Sequence, residues 1–129
     1  MLTVYLIDRG GDKKKAIRSL SKLEPSIIEK PKGTACTGLG NNCKHDWYMI
    51  LFTDEYLEDI LCDALPYFMA SDYDYFNMYR CMDDGKNQRY FMNPRLFRKG
   101  VVLNKNGEPG SEYVGTSILD GFIFNECSG

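Results

Sequence analysis

The chain has no apolar run approaching the roughly 20 residues that cross a bilayer. The run Leu2 to Ile7 is too short for the apolar region of a secretory signal, and Asp8 follows it at once. A soluble, cytoplasmic protein is therefore expected. There is one histidine, His45, and no C-x-x-C pair. The five cysteines (Cys36, Cys43, Cys62, Cys81 and Cys127) are odd in number, and only Cys36 and Cys43 lie close together. That pattern carries no zinc signature and leaves reduced, mostly buried thiols as the expectation. Charge of one sign is also missing: 16 basic and 18 acidic residues are mixed along the chain, for a net −2. Such a balance argues against a general nucleic-acid or membrane-surface binder. Neither the phosphate loop G-x-x-x-x-G-K-[ST] nor the nucleophile elbow G-x-S-x-G occurs, and there is no internal repeat.

What is present is enough apolar side chain to build a core. Of the 129 residues, 43% are hydrophobic and 13% aromatic, which suits one domain. Leu2 to Ile7 is short and β-branched, and reads as a buried strand. Asp8 to Asp12 breaks it, Asp12 can cap a helix, and Ala16, Ile17, Leu20 and Leu23 recur at helical spacing. Pro25 ends that helix, and Ser26 to Glu29 resembles a second strand. Residues 33–42 are small and polar, hence loop. Trp47 to Phe52 is a nearly continuous apolar strand of the kind covered on both faces. From Tyr56, the spacing of Leu57, Ile60, Leu61, Ala64, Leu65 and Phe68 predicts a helix to about Ala70. Tyr75 to Met82 and Gln88 to Met92 form a hairpin across Asp83 to Lys86, and Asn93-Pro94 interrupts it. Residues 104–111 are loop, and periodicity leaves Thr116 to Phe124 open between helix and strand. The order predicts an α/β domain: a mostly parallel sheet with flanking helices plus an antiparallel hairpin.

In such sheets ligands sit beyond the carboxyl ends of the strands, at residues 8–15 and 53–55 here. A carboxylate at Asp54 or Glu55 suits a helix start, and it also suits a hard divalent cation. Lys13, Lys14 and Lys15 in a first helical turn oppose the macrodipole; they form either a solvated charge run or an anion-attracting loop. Arg95 and Arg98 flank Leu96-Phe97 as a surface pair or as a phosphate clamp. His45 and the cysteines single out no nucleophile, and the aromatic residues from Tyr73 to Phe91 read as packing.

Taken together, GTACTGLGNNCKHDWYMILFTDEYLEDIL and NPRLFRKG resemble family-2-like inverting glycosyltransferases of the GT-A fold. The resemblance spans about residues 1–100. It implies a GT-A-like, Rossmann-like domain over residues 1–129 that binds a nucleotide-diphosphate sugar and transfers the sugar to an acceptor hydroxyl. The alternative is a non-catalytic nucleotide-binding or protein-interaction module. By this resemblance Asp8 and Arg9 lie by the nucleoside, with Lys13, Asn41, Asn42, Arg95 and Arg98 completing donor binding. Asp54 and Glu55 take the place of the acidic motif that holds Mn²⁺ or Mg²⁺. That motif is usually D-x-D; with Asp54 as its second acid the first falls on Phe52, and with Asp54 as its first the second falls on Tyr56. Glu112 and Asp120, with Glu108, are the carboxylates available as general base. The small size suits work with a protein partner or as a homo-oligomer.

Overall fold

The computed structural model describes residues 2–125. Its elements are the strands β1 (Leu2–Ile7), β2 (Ser26–Lys30), β3 (Trp47–Phe52), β4 (Glu55–Leu57), β5 (Tyr75–Asp83), β6 (Gln88–Arg98) and β7 (Gly115–Asn125), with helices α1 (Lys13–Ser19) and α2 (Asp59–Met69). They form one sheet in the order β2-β1-β3-β6-β5-β7-β4. The three pairings β2–β1, β1–β3 and β5–β7 are parallel, and β3–β6, β6–β5 and β7–β4 are antiparallel.

The connection between β3 and β4 dictates the shape. These strands lie at widely separated places in the sheet order, yet only Thr53 and Asp54 join them. The three steps from Phe52 to Glu55 span at most about 11 Å, so the far edge of the sheet must curl back toward β3. The Phe52 backbone N–H indeed donates to the Glu55 carboxylate at 3.0 Å.

Alternation along the strands feeds two cores. Leu2, Val4, Leu6, Met49 and Leu51 face α1 and α2, and pack on Ala16, Leu20, Leu61 and Leu65. The opposite residues, Tyr5, Ile7, Tyr48 and Ile50, pack beneath irregular chain carrying Leu39, Cys43, Val101 and Leu103. Burying each large side chain contributes about 1.5–3 kcal/mol.

This architecture corrects the expected helix-flanked, GT-A-like α/β domain. The protein is mostly β, with a curled mixed sheet and only two α-helices among the described residues. Both helices contribute to the same core, and loops cover the second core. Three local features explain the difference. The predicted helix at Tyr56 begins at Asp59, because Glu55 to Leu57 pair with Ile123 to Asn125 as a strand. β6 runs through Pro94 to Arg98: a register shift falls beside it, and its pairing with β3 covers only Leu96 to Arg98, so the missing N–H breaks no ladder there. The open segment at 116–124 lies within β7, parallel to β5.

Among the described residues no helix is long and apolar enough to cross a membrane. Cys36, Cys43, Cys62 and Cys81 are free thiols, the last three buried; Cys127 lies outside the described residues.

Candidate functional site

Parallel register builds the site. β1 and β3 pair Ile7 with Phe52, and β1 and β2 pair Ile7 with Lys30, so three strands end on one rim. The residues that follow therefore emerge side by side. The Thr53 N–H donates to the Ile7 carbonyl at 3.0 Å, and the Arg9 N–H to Thr53 Oγ1 at 2.9 Å. Thr53 Oγ1 in turn donates to the Gly10 carbonyl at 2.6 Å. Gly10 and Gly11 both take positive φ (85° and 77°), the left-handed conformation that glycine adopts without steric cost. Asp12 then caps α1 by accepting from the Lys14 N–H at 3.0 Å.

Arg9 reaches across this junction. Its Nε lies 2.9 and 3.0 Å from the two oxygens of Asp54, and its guanidinium stacks 4.0 Å above the Phe52 ring. Glu55 is fully buried inside the curl. Arg95 grips it with two parallel bonds, 2.7 Å to Oε1 and 2.8 Å to Oε2, and also donates to the Ile50 carbonyl. Arg80 Nε lies 3.2 Å and Arg9 Nη2 3.3 Å from Glu55 Oε2. Burial pushes the Glu55 carboxyl up, but the Arg95 charge and hydrogen bonds, the Phe52 N–H and Arg9 outweigh it. The net pKa lies below the ordinary glutamate value. Arg80 shifts down, first through burial and then through repulsion by Arg95.

Two cavities adjoin at this junction. The larger, about 510 Å³, is lined by Arg9, Phe52, Arg80, Asn93 and Arg95, with residues 106–109 as its outer wall. The smaller, about 370 Å³, is lined by Asp8, Gly11, Lys13, Glu29, Lys30 and Thr53. Consecutive residues (Asp8 and Arg9, Phe52 and Thr53) line different cavities, so the two sites abut.

The structure thus brings together Asp8, Arg9, Lys13, Asp54, Glu55 and Arg95. It places the remaining residues elsewhere. Arg98 donates to the Ser71 and Tyr73 carbonyls and stacks on Trp47. Asn41 and Asn42 are exposed at a short 3-10 turn, and Glu112 and Asp120 are exposed outside both cavities. Glu108 does line the larger one. Lys13 pairs with Glu29 at 3.0 Å, and Lys15 stacks on Tyr56. Arg80 and Asn93 were not singled out in the sequence, although a signal existed: Arg80 continues the i, i+2 phase of the buried Phe76 and Met78.

The Mn²⁺ or Mg²⁺ implied by the resemblance does not fit this arrangement. Both oxygens of Glu55 and both of Asp54 are engaged by guanidinium groups. A divalent cation there would displace those bonds and sit among three like charges. Among the described residues no group of three His, Cys, Asp or Glu side chains could hold a metal ion. Comparison of the chain with known protein-family models and with curated proteins gives no match in either set.

Proposed function

We propose that this chain is a glycosyltransferase-type protein that binds a nucleotide-diphosphate sugar at the carboxyl-end rim of β1, β2 and β3. It passes the sugar to an acceptor hydroxyl. One observation carries the reading: the register of parallel β1 and β3 joins the loop after Ile7 to the loop after Phe52, with a cavity on each side. The smaller cavity takes the nucleoside, between Asp8, Lys13 and Lys30. The larger takes the diphosphate and sugar beside the guanidinium groups. Transfer needs a carboxylate that accepts the acceptor's hydroxyl proton as the new bond to the anomeric carbon forms and the diphosphate leaves. Glu108 stands at that cavity; Glu112 and Asp120 do not. A second reading, donor binding without transfer, is favoured by the engagement of Asp54 and Glu55 in ion pairs.

Thermal shift with UDP- and GDP-sugars tests the proposal. A sugar nucleotide at a hundredfold excess over its Kd should stabilise the fold by about 2.7 kcal/mol. No shift with any sugar nucleotide overturns both readings. A shift without turnover of the donor, in the presence of acceptor sugars, selects the second.

A further inference from the structure

Three guanidinium groups and one carboxylate, Glu108, stand among the residues that line the larger cavity. Among the described residues, Arg9, Arg80 and Arg95 form their ion pairs with Asp54 and Glu55, which are not part of that lining. Glu55 Oε2 is shared by all three guanidinium groups, at 2.8, 3.2 and 3.3 Å. Sharing weakens the geometry: Arg80 Nε, 3.2 Å from Glu55, and Arg9 Nη2, 2.9 Å from Asp54, are buried in ion pairs whose angles fall short of a hydrogen bond. Among the described residues, the rest of the Arg80 guanidinium donates to the Asn93 side-chain oxygen at 3.1 Å and the Met82 sulfur at 3.5 Å. Buried N–H groups without well-aligned acceptors are costly. A tetrahedral anion in the cavity offers further acceptors and charge to three guanidinium groups that share two carboxylates, and planar guanidinium groups match phosphoryl oxygens.

The geometry points to guanidinium groups standing in for the divalent cation: Arg9, Arg80 and Arg95 neutralise the diphosphate directly, and the cavity binds it without metal. This inference rests on the donor-binding reading above and sharpens it. In this arrangement Asp54 competes with the ligand for Arg9. Its role is opposite to that of a metal-holding acid, which the ligand needs.

Titration calorimetry of the full chain with inorganic pyrophosphate and with UDP- and GDP-sugars, in EDTA and in Mn²⁺, tests this. The expected result is a Kd unchanged within about twofold between EDTA and Mn²⁺. Arg80→Gln should weaken binding by about ten- to hundredfold. Asp54→Asn, which frees Arg9, should tighten it several-fold; a metal-holding acid would give the reverse. Asp54 is partly exposed, so this variant decides the matter even where Arg80→Gln fails to fold. Sugar-nucleotide binding seen only with Mn²⁺ and abolished in Asp54→Asn overturns the inference but keeps the donor reading. Unchanged affinity in a folded Arg80→Gln overturns the inference too. Pyrophosphate bound in EDTA with no sugar nucleotide bound supports the guanidinium site and overturns the donor reading. No binding of either ligand overturns both.

Discussion

Glu55 is the residue on which the inside of the curl depends. It is buried, accepts two bonds from Arg95 and one from the Phe52 N–H, and lies within 3.3 Å of Arg9 and Arg80. Removing its charge leaves Arg9 with Asp54, and Arg80 and Arg95 with no carboxylate partner among the described residues; breaking a buried pair in this way costs about 3–5 kcal/mol. Glu55→Gln should therefore lower the unfolding free energy by about that amount at pH 7, measured by urea titration. The deficit should depend on pH. The folded pKa of Glu55 lies below its ordinary 4.5. Its ionisation therefore stabilises the fold fully above that value, and the contribution is lost as pH falls through the lower folded value. Wild type and Glu55→Gln should converge in stability as the pH drops below about 4.5. A constant gap down to the acid transition would show that Glu55 acts by shape and not by charge.

The elements differ in how openly they declare themselves, and the difference is physical. β1 and β3 are continuous apolar runs because both of their faces are buried, and α1 starts at an aspartate whose side chain caps it. These features place Asp8, Arg9, Asp54 and Glu55 at strand ends from the sequence alone. β4 was hidden because Leu57, Leu61 and Leu65 keep helical spacing across a strand–helix junction, and only long-range pairing with β7 makes 55–57 extended. For the same reason Arg80 could not be joined to Glu55: the curl that brings them together is a property of closure, not of local pattern. The cover of the second core is likewise non-local. Gly40 sits where an added Cβ would lie 2.5 Å from the Val101 carbonyl oxygen and 2.9 Å from the Tyr48 ring. Tyr48 is itself fixed there, donating to that same carbonyl at 2.7 Å. Gly40→Ala must push the loop away from the sheet, which should cost about 1–3 kcal/mol. Faster amide exchange at residues 100–103 than in wild type would locate the strain; an unchanged midpoint and exchange pattern would show that the loop has room.

Closure of the curl by β7 makes the last and largest prediction. β7 is the strand that joins β4 to the rest of the sheet, through the pairs Glu55–Asn125, Tyr56–Phe124 and Leu57–Ile123. It also sends Ile118 and Ile123, both fully buried, into the core that α1 and α2 cover. Its ladder with β5 takes up a register shift between Met78 and Tyr79, where Gly121 adopts φ +120°. A chain ending at Val114 loses those two side chains, worth about 3–6 kcal/mol together. It also removes the cross-strand neighbours of Leu57 and Met78, which are Ile123 and Ile118. Domain stabilities total only about 5–15 kcal/mol. The two cores share β1 and β3, so they cannot melt apart: each strand presents alternate residues to both. The full chain should accordingly unfold in urea as one transition, seen alike in the far-ultraviolet dichroism of the strands and the fluorescence of Trp47. The chain ending at Val114 should lose that transition altogether, including the signal of Trp47, which lies on β3 and pairs with Leu2. A truncated chain that keeps a cooperative Trp47 transition would mean that β1, β2, β3 and the helices fold without the curl. Glu55 and its arginines would then be an appendage of that fold, not part of what holds it together.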